Sequence, residues 1–160
     1  MVLQTDERLD GEIQSVGCYF LVLGWFAEQL TGKATPVEVT NRLWHLCKKL
    51  GAIGPDNKIK DPDRIIKLFV AALGGSRKRL LQVGVVDKND KTEYWDWVKP
   101  DPKAEEYAAL DWKTPYDKVG NQHFTGVLPD ASEEFDPDPR LKRLSLNRKV
   151  LYRVFKKGEV

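Results

Sequence analysis

The residues Gly17-Cys18-Tyr19-Phe20-Leu21-Val22-Leu23, continued by Trp25, Phe26, Ala27 and Leu30, are apolar on nearly every helical face. A helix patterned this way is buried all round rather than half in water. The segment therefore predicts a central helix over 18–30 on which the rest of the chain must pack. Ser15 is its candidate N-cap, Gly17 allows a tight turn just ahead of Cys18, and Thr31-Gly32 ends it. A thiol in the first turn of a helix sits at the positive end of the dipole, among backbone N–H groups that have no intrahelical partner. Both stabilise the thiolate, which is the nucleophilic form of cysteine. It is the place of Cys18 on the helix, not its mere presence, that gives it chemical interest.

Working outward, Thr35-Pro36-Val37-Glu38 reads as a capping box with proline at the first helical position, and the helix it starts runs to Leu50 before Gly51. Val37, Thr40, Leu43, Trp44, Cys47 and Leu50 fall on one stripe at helical spacing, which makes Cys47 a core thiol. His45 lies off that stripe and belongs to the helix surface. Asp61-Pro62 starts a third helix that continues to Leu73 before Gly74-Gly75. Beyond it the apolar period changes to two, and 80–86, 93–98, 107–112, 122–128 and 149–155 read as strands. Lys88-Asn89-Asp90, Pro100-Asp101-Pro102 and Pro115-Tyr116 punctuate them, and 99–106 is the expected exposed loop. Helices first and strands after is an α+β arrangement. A chain of 160 residues accommodates it in one domain, 1–160, that buries about two-thirds of its unfolded surface.

The second chemical feature lies near the other end. Residues 122–128 form a strand that begins Gln122-His123-Phe124, Pro129-Asp130-Ala131-Ser132 form a turn, and 133–135 return before Asp136-Pro137. If the hairpin is centred on Pro129-Asp130, Asp136 stands opposite His123, and opposed residues share a face. A carboxylate beside the imidazole fixes its tautomer and stabilises the imidazolium, the part of the third member of a catalytic triad. A turn centred one residue later would bring Asp138 opposite instead. Asp136 is the first choice and Asp138 the second.

The bulk composition narrows the function classes. A formal net charge of +2 gives no overall electrostatic footprint for nucleic acid. The one basic run, Arg140, Lys142, Arg143, Arg148, Lys149, Arg153, Lys156 and Lys157, alternates with apolar residues as solvated faces of edge strands do. No stretch approaches the roughly 20 apolar residues of a membrane span, and Asp6, Glu7, Asp10 and Glu12 do not fit a signal peptide. Two cysteines suit a reducing compartment and leave both thiols free. Neither C-x-x-C nor H-x-x-x-H occurs, and Gly74-Gly75-Ser76 follows a helix rather than opening one, so neither a metal nor a nucleotide cofactor is expected.

At Gly17-Cys18, His123-Phe124 and Asp136-Pro137 the chain resembles the papain-like cysteine peptidases of the bacteriocin-leader-processing type. Those segments, together with Trp112-Lys113-Thr114-Pro115-Tyr116 and Thr125, also resemble an uncharacterised family of short proteins common in bacteriophages and prophages. The second likeness spans nearly the whole chain, the first only the triad segments. The resemblance implies a papain-like fold, with Cys18 as nucleophile, His123 as general base and then acid, and Asp136 as orienting carboxylate. It also implies an oxyanion-binding glutamine ahead of the cysteine, for which Gln14 is the near candidate. The expected activity is hydrolysis of an amide bond in a protein or a peptidoglycan cross-link, in the host cytoplasm or as part of a virion. The alternative, from another class, is a non-catalytic binding or virion-associated module that keeps the fold and an idle site.

Overall fold

The computed structural model describes residues 1–75, 80–88, 106–113, 123–129, 133–139 and 149–157. The expected strand over 93–98, the loop over 99–105, the turn residues 130–132, the Thr114-Pro115-Tyr116 motif and the basic run over 140–148 lie outside them.

Four helices precede five strands: α1 (Gly11–Val16), α2 (Cys18–Thr31), α3 (Val37–Leu50), α4 (Pro62–Ala72), then β1 (Leu80–Lys88), β2 (Tyr107–Lys113), β3 (His123–Val127), β4 (Glu134–Phe135) and β5 (Lys149–Lys157). The sheet runs β1-β5-β2-β3-β4 and every neighbouring pair is antiparallel. The chain is thus α+β, with helices and strands segregated as the change of period predicts.

Helix α2 is buried along almost its whole length because no face of it is polar enough to meet water. One side lies on the sheet. Phe26 packs on Tyr107 of β2 and Phe155 of β5, with ring centroids 5.6 Å apart in both cases, and Trp25 stacks on Phe135 of β4 at 5.5 Å. Gly126 of β3 lies close against the helix. A Cβ placed there would stand 2.9 Å from Val22 Cγ1 and 3.0 Å from Trp25 Cε3. The other side of α2 packs on α3 and α4, where the Phe20 ring meets Trp44 at 5.1 Å and Phe69 at 5.0 Å. Cys47 is fully buried in this core, as the α3 stripe predicts, and His45 is exposed and paired with Asp10 at 2.9 Å.

Three local expectations are corrected. Ser15 does not cap α2: residues 11–16 form the short helix α1, capped by Asp10 Oδ1 accepting from Glu12 N at 3.0 Å, and Gly17 alone separates α1 from α2. Gly17 sits at φ −85°, ψ 8°, so it is not there for a left-handed turn. Its reason is steric, since a Cβ would meet the Ile13 carbonyl oxygen at 2.6 Å and Ile13 Cα at 2.7 Å. Thirdly, the capping box of α3 does not close. Pro36 occupies the N-cap, the Thr35 hydroxyl is buried without a hydrogen-bond partner, and the Thr35 N–H donates to Glu28 Oε2 of α2 at 2.5 Å. A tertiary acceptor has displaced the local one. The Asp61-Pro62 start of α4 forms as read, with Asp61 Oδ1 accepting from Arg64 N at 3.0 Å.

Candidate active site

Cys18 is the first residue of α2 and His123 the first of β3, and the residue after each helps hold them together. Tyr19 and Phe124 stack face to face, centroids 4.2 Å apart and planes 7° from parallel. The Arg153 guanidinium of β5 lies over both rings, at 5.3 and 5.4 Å, and reaches the buried Asp111 carboxylate at 3.4 Å. A stacked aromatic pair under a cation fixes the helix start on the strand by more than its buried area. The helix start is held on its other side too. Glu12 of α1 accepts from Lys48 Nζ at 2.9 Å, Trp44 Nε1 at 3.2 Å and Asn57 Nδ2 at 3.0 Å, contacts that keep its carboxyl down at about 2.

His123 is 2% exposed, and its Nε2 is 2.7 Å from Asp136 Oδ1. The same carboxylate oxygen accepts the Asp138 backbone N–H at 3.0 Å, an Asx turn that orients it towards the ring. With Nε2 engaged, Nδ1 is the ring nitrogen left to exchange a proton with the Cys18 thiol. No hydrogen bond of good geometry reaches Nδ1, but the thiol lies near enough to act on the ring. Burial by itself would lower the imidazole pKa. The hydrogen bond to Asp136 and the neighbouring thiol outweigh burial and raise it to about 9. An imidazole held by a carboxylate beside a thiol is placed where it can exchange a proton with that thiol.

The structure thus brings Cys18, His123 and Asp136 to one place, but the route to Asp136 differs from the sequence argument. Gly126 pairs with Phe135 and Val127 with Glu134, which centres the hairpin between 130 and 131, one residue later than expected. Continued, that register would set Asp138 opposite His123. The ladder stops at Phe135, however, because Pro137 has no N–H to continue it. Asp136 is the diagonal neighbour on the same face, and its side chain spans the offset. Asp138, the second choice, is 5% exposed and supports Asp136 through its backbone amide.

Gln14 is not at the site. Its side chain is exposed, and its amide donates to the Leu9 carbonyl at 2.7 Å, at the far end of α1. The glutamine buried in this region is Gln4, which the sequence does not single out. It is 5% exposed, its backbone N–H donates to the Pro137 carbonyl at 2.8 Å, and its Nε2 donates to the Gln14 carbonyl at 3.0 Å. No spacing or periodicity marks it, since both contacts are long-range.

Comparison with known proteins gives no match to any family model, curated protein or solved structure. The reading of the site therefore rests on its own geometry. Among the described residues no cluster of His, Cys, Asp and Glu is arranged to hold a metal ion, and no helix is long and apolar enough to cross a membrane. The arrangement is that of an imidazole between a thiol and a carboxylate.

Proposed function

We propose that the protein is a cysteine hydrolase of amide bonds with a papain-like arrangement of its residues. The observation that carries this reading is His123, buried, held by Asp136 through Nε2, and next to the Cys18 thiol. Cys18 Sγ, having passed its proton to His123 Nδ1, attacks the amide carbonyl carbon. The imidazolium then protonates the departing amine, and the C–N bond breaks to leave a thioester. His123 next takes a proton from water, hydroxide adds to the thioester, and Cys18 is released with the carboxylic acid. Asp136 keeps the ring oriented throughout and stabilises its charged form. The Cys18 N–H, at the start of a helix, is the donor offered to the oxyanion. The substrate classes proposed are a protein and a peptidoglycan cross-link.

Iodoacetamide, followed by mass spectrometry of the two cysteine peptides, tests this without a substrate. Cys18 is expected to be alkylated near pH 7 in the folded protein. Cys47, whose thiol burial pushes up to about 12, is expected to stay unmodified until the protein unfolds. His123→Ala should slow Cys18 by at least about a hundredfold, the low end of what an activating base contributes. Equal, slow reaction of both thiols would favour the second reading, an idle site on a binding module. That reading draws its support from the placement of Gln14 away from Cys18.

A further inference from the structure

We propose that Gln4 is a positioning residue for this site, tying the turn that carries Asp136 to the start of the Cys18 helix. The inference rests on the hydrolase reading for its consequence, but its geometry stands apart from it. The Pro137 carbonyl, which accepts the Gln4 N–H at 2.8 Å, and the Asp138 N–H, which donates to Asp136 Oδ1 at 3.0 Å, are opposite ends of one planar peptide unit. Fixing one end fixes the other. A single line of contacts therefore runs from Gln4 N–H through that peptide to the Asp136 carboxylate and on to His123 Nε2 at 2.7 Å. Hydrogen bonds in series polarise one another in a low-dielectric interior.

The side chain of Gln4 reaches the other half of the site. In an unbroken helix the Gln14 carbonyl would accept the N–H four residues on, which is that of Cys18. Here it takes Gln4 Nε2 at 3.0 Å, and the helix breaks at Gly17. Gln4 thus occupies the carbonyl that would otherwise carry the helix on into Cys18. Its Oε1 is buried without a hydrogen-bond partner. A buried amide whose oxygen has no partner is costly to keep if its only task is to fill space.

The test reads the imidazole directly. The chain has two histidines, so the ring protons of buried His123 and exposed His45 are readily told apart in an NMR titration. Gln4→Met keeps the shape and the backbone N–H but loses the tie to Gln14. The expected result is a folded protein, reported by Cys47 protection, in which the His123 titration moves down from about 9, because the start of the Cys18 helix is no longer tied to the turn and its thiol is one of the groups that raise the ring, while Asp136 keeps its contact. A role confined to packing would lower the melting temperature and leave the titration where it was, and that outcome overturns the proposal. Should Gln4→Met fail to fold, amide hydrogen exchange of the unsubstituted protein decides. Gln4 and Asp138 amides protected together support the tie, and a Gln4 amide exchanging at the rate of an open loop overturns it. The hydrolase reading fails separately, if His123→Ala leaves Cys18 alkylation unchanged, and the titration still reports on Gln4 in that case.

Discussion

The two carboxylates after β4 differ by two positions in sequence and by their contacts in the structure. Asp136 holds His123 Nε2 with its side chain, whereas Asp138 contributes a backbone N–H to Asp136. Asp136→Asn keeps the volume and allows the amide to hold the wrong tautomer, so the fold should persist. Alkylation of Cys18 and any turnover should fall by orders of magnitude, towards the roughly 10⁴-fold seen when a triad carboxylate becomes an amide. The His123 titration should move down from about 9, because the principal contact that raises it has gone. Asp138→Asn leaves its backbone N–H in place and should leave that titration unmoved. A shift with Asp138→Asn and none with Asp136→Asn would exchange the roles of the two residues.

At the scale of elements, two glycines set how closely the halves of the site approach. Gly126→Ala puts a methyl group 2.9 Å from Val22 and 3.0 Å from the Trp25 ring, so β3 must move off α2. Overpacking of this kind costs about 1–3 kcal/mol, measurable by urea unfolding, and should slow Cys18 alkylation as well because His123 begins the displaced strand. Gly17→Ala meets the Ile13 backbone at 2.6 Å, which no side-chain rotation relieves, and should shift the first turn of α2 with a larger loss of reactivity than of stability. The identity of these elements was legible in the sequence. The all-round apolar run gives α2, the Trp44-Cys47 stripe gives the buried face of α3, and the change of period gives the segregated strands. What sequence could not supply was competition from distant groups. Thr35 reads as a cap until Glu28 takes its N–H, and α1 is obscured because its stability comes from Glu12 contacts to Lys48, Trp44 and Asn57 rather than from its own six residues. Asp136 was found by a register one residue off. Its side chain reaches His123 all the same, because the ladder ends before Pro137 and the side chain crosses the offset.

For the molecule as a whole, the titration of a few groups sets the dependence of stability on pH. His123 binds its proton more tightly folded, at about 9, than at the ordinary 6.5 of an unfolded chain. The stability this contributes is therefore complete below 6.5 and is lost as pH rises to 9. Being 2% exposed, the group is screened little by solvent, and the shift corresponds to a loss of about 3 kcal/mol across that window. Cys47 extends the decline, since its thiol is pushed from 9.0 to about 12 by burial and the unfolded chain ionises first. Glu12 and Asp6 act in the opposite sense, each held at about 2, so their contribution is present above the usual carboxylate range and lost as pH falls through it. Stability should accordingly peak between about pH 5 and 6.5. Urea unfolding from pH 5 to 10 should show a fall between 6.5 and 9 that disappears in His123→Gln. The same fall in the variant would assign it to another group and remove the raised imidazole from the account. A fall confined to the unsubstituted protein would mean that the contacts that hold the His123 proton also hold the sheet against α2.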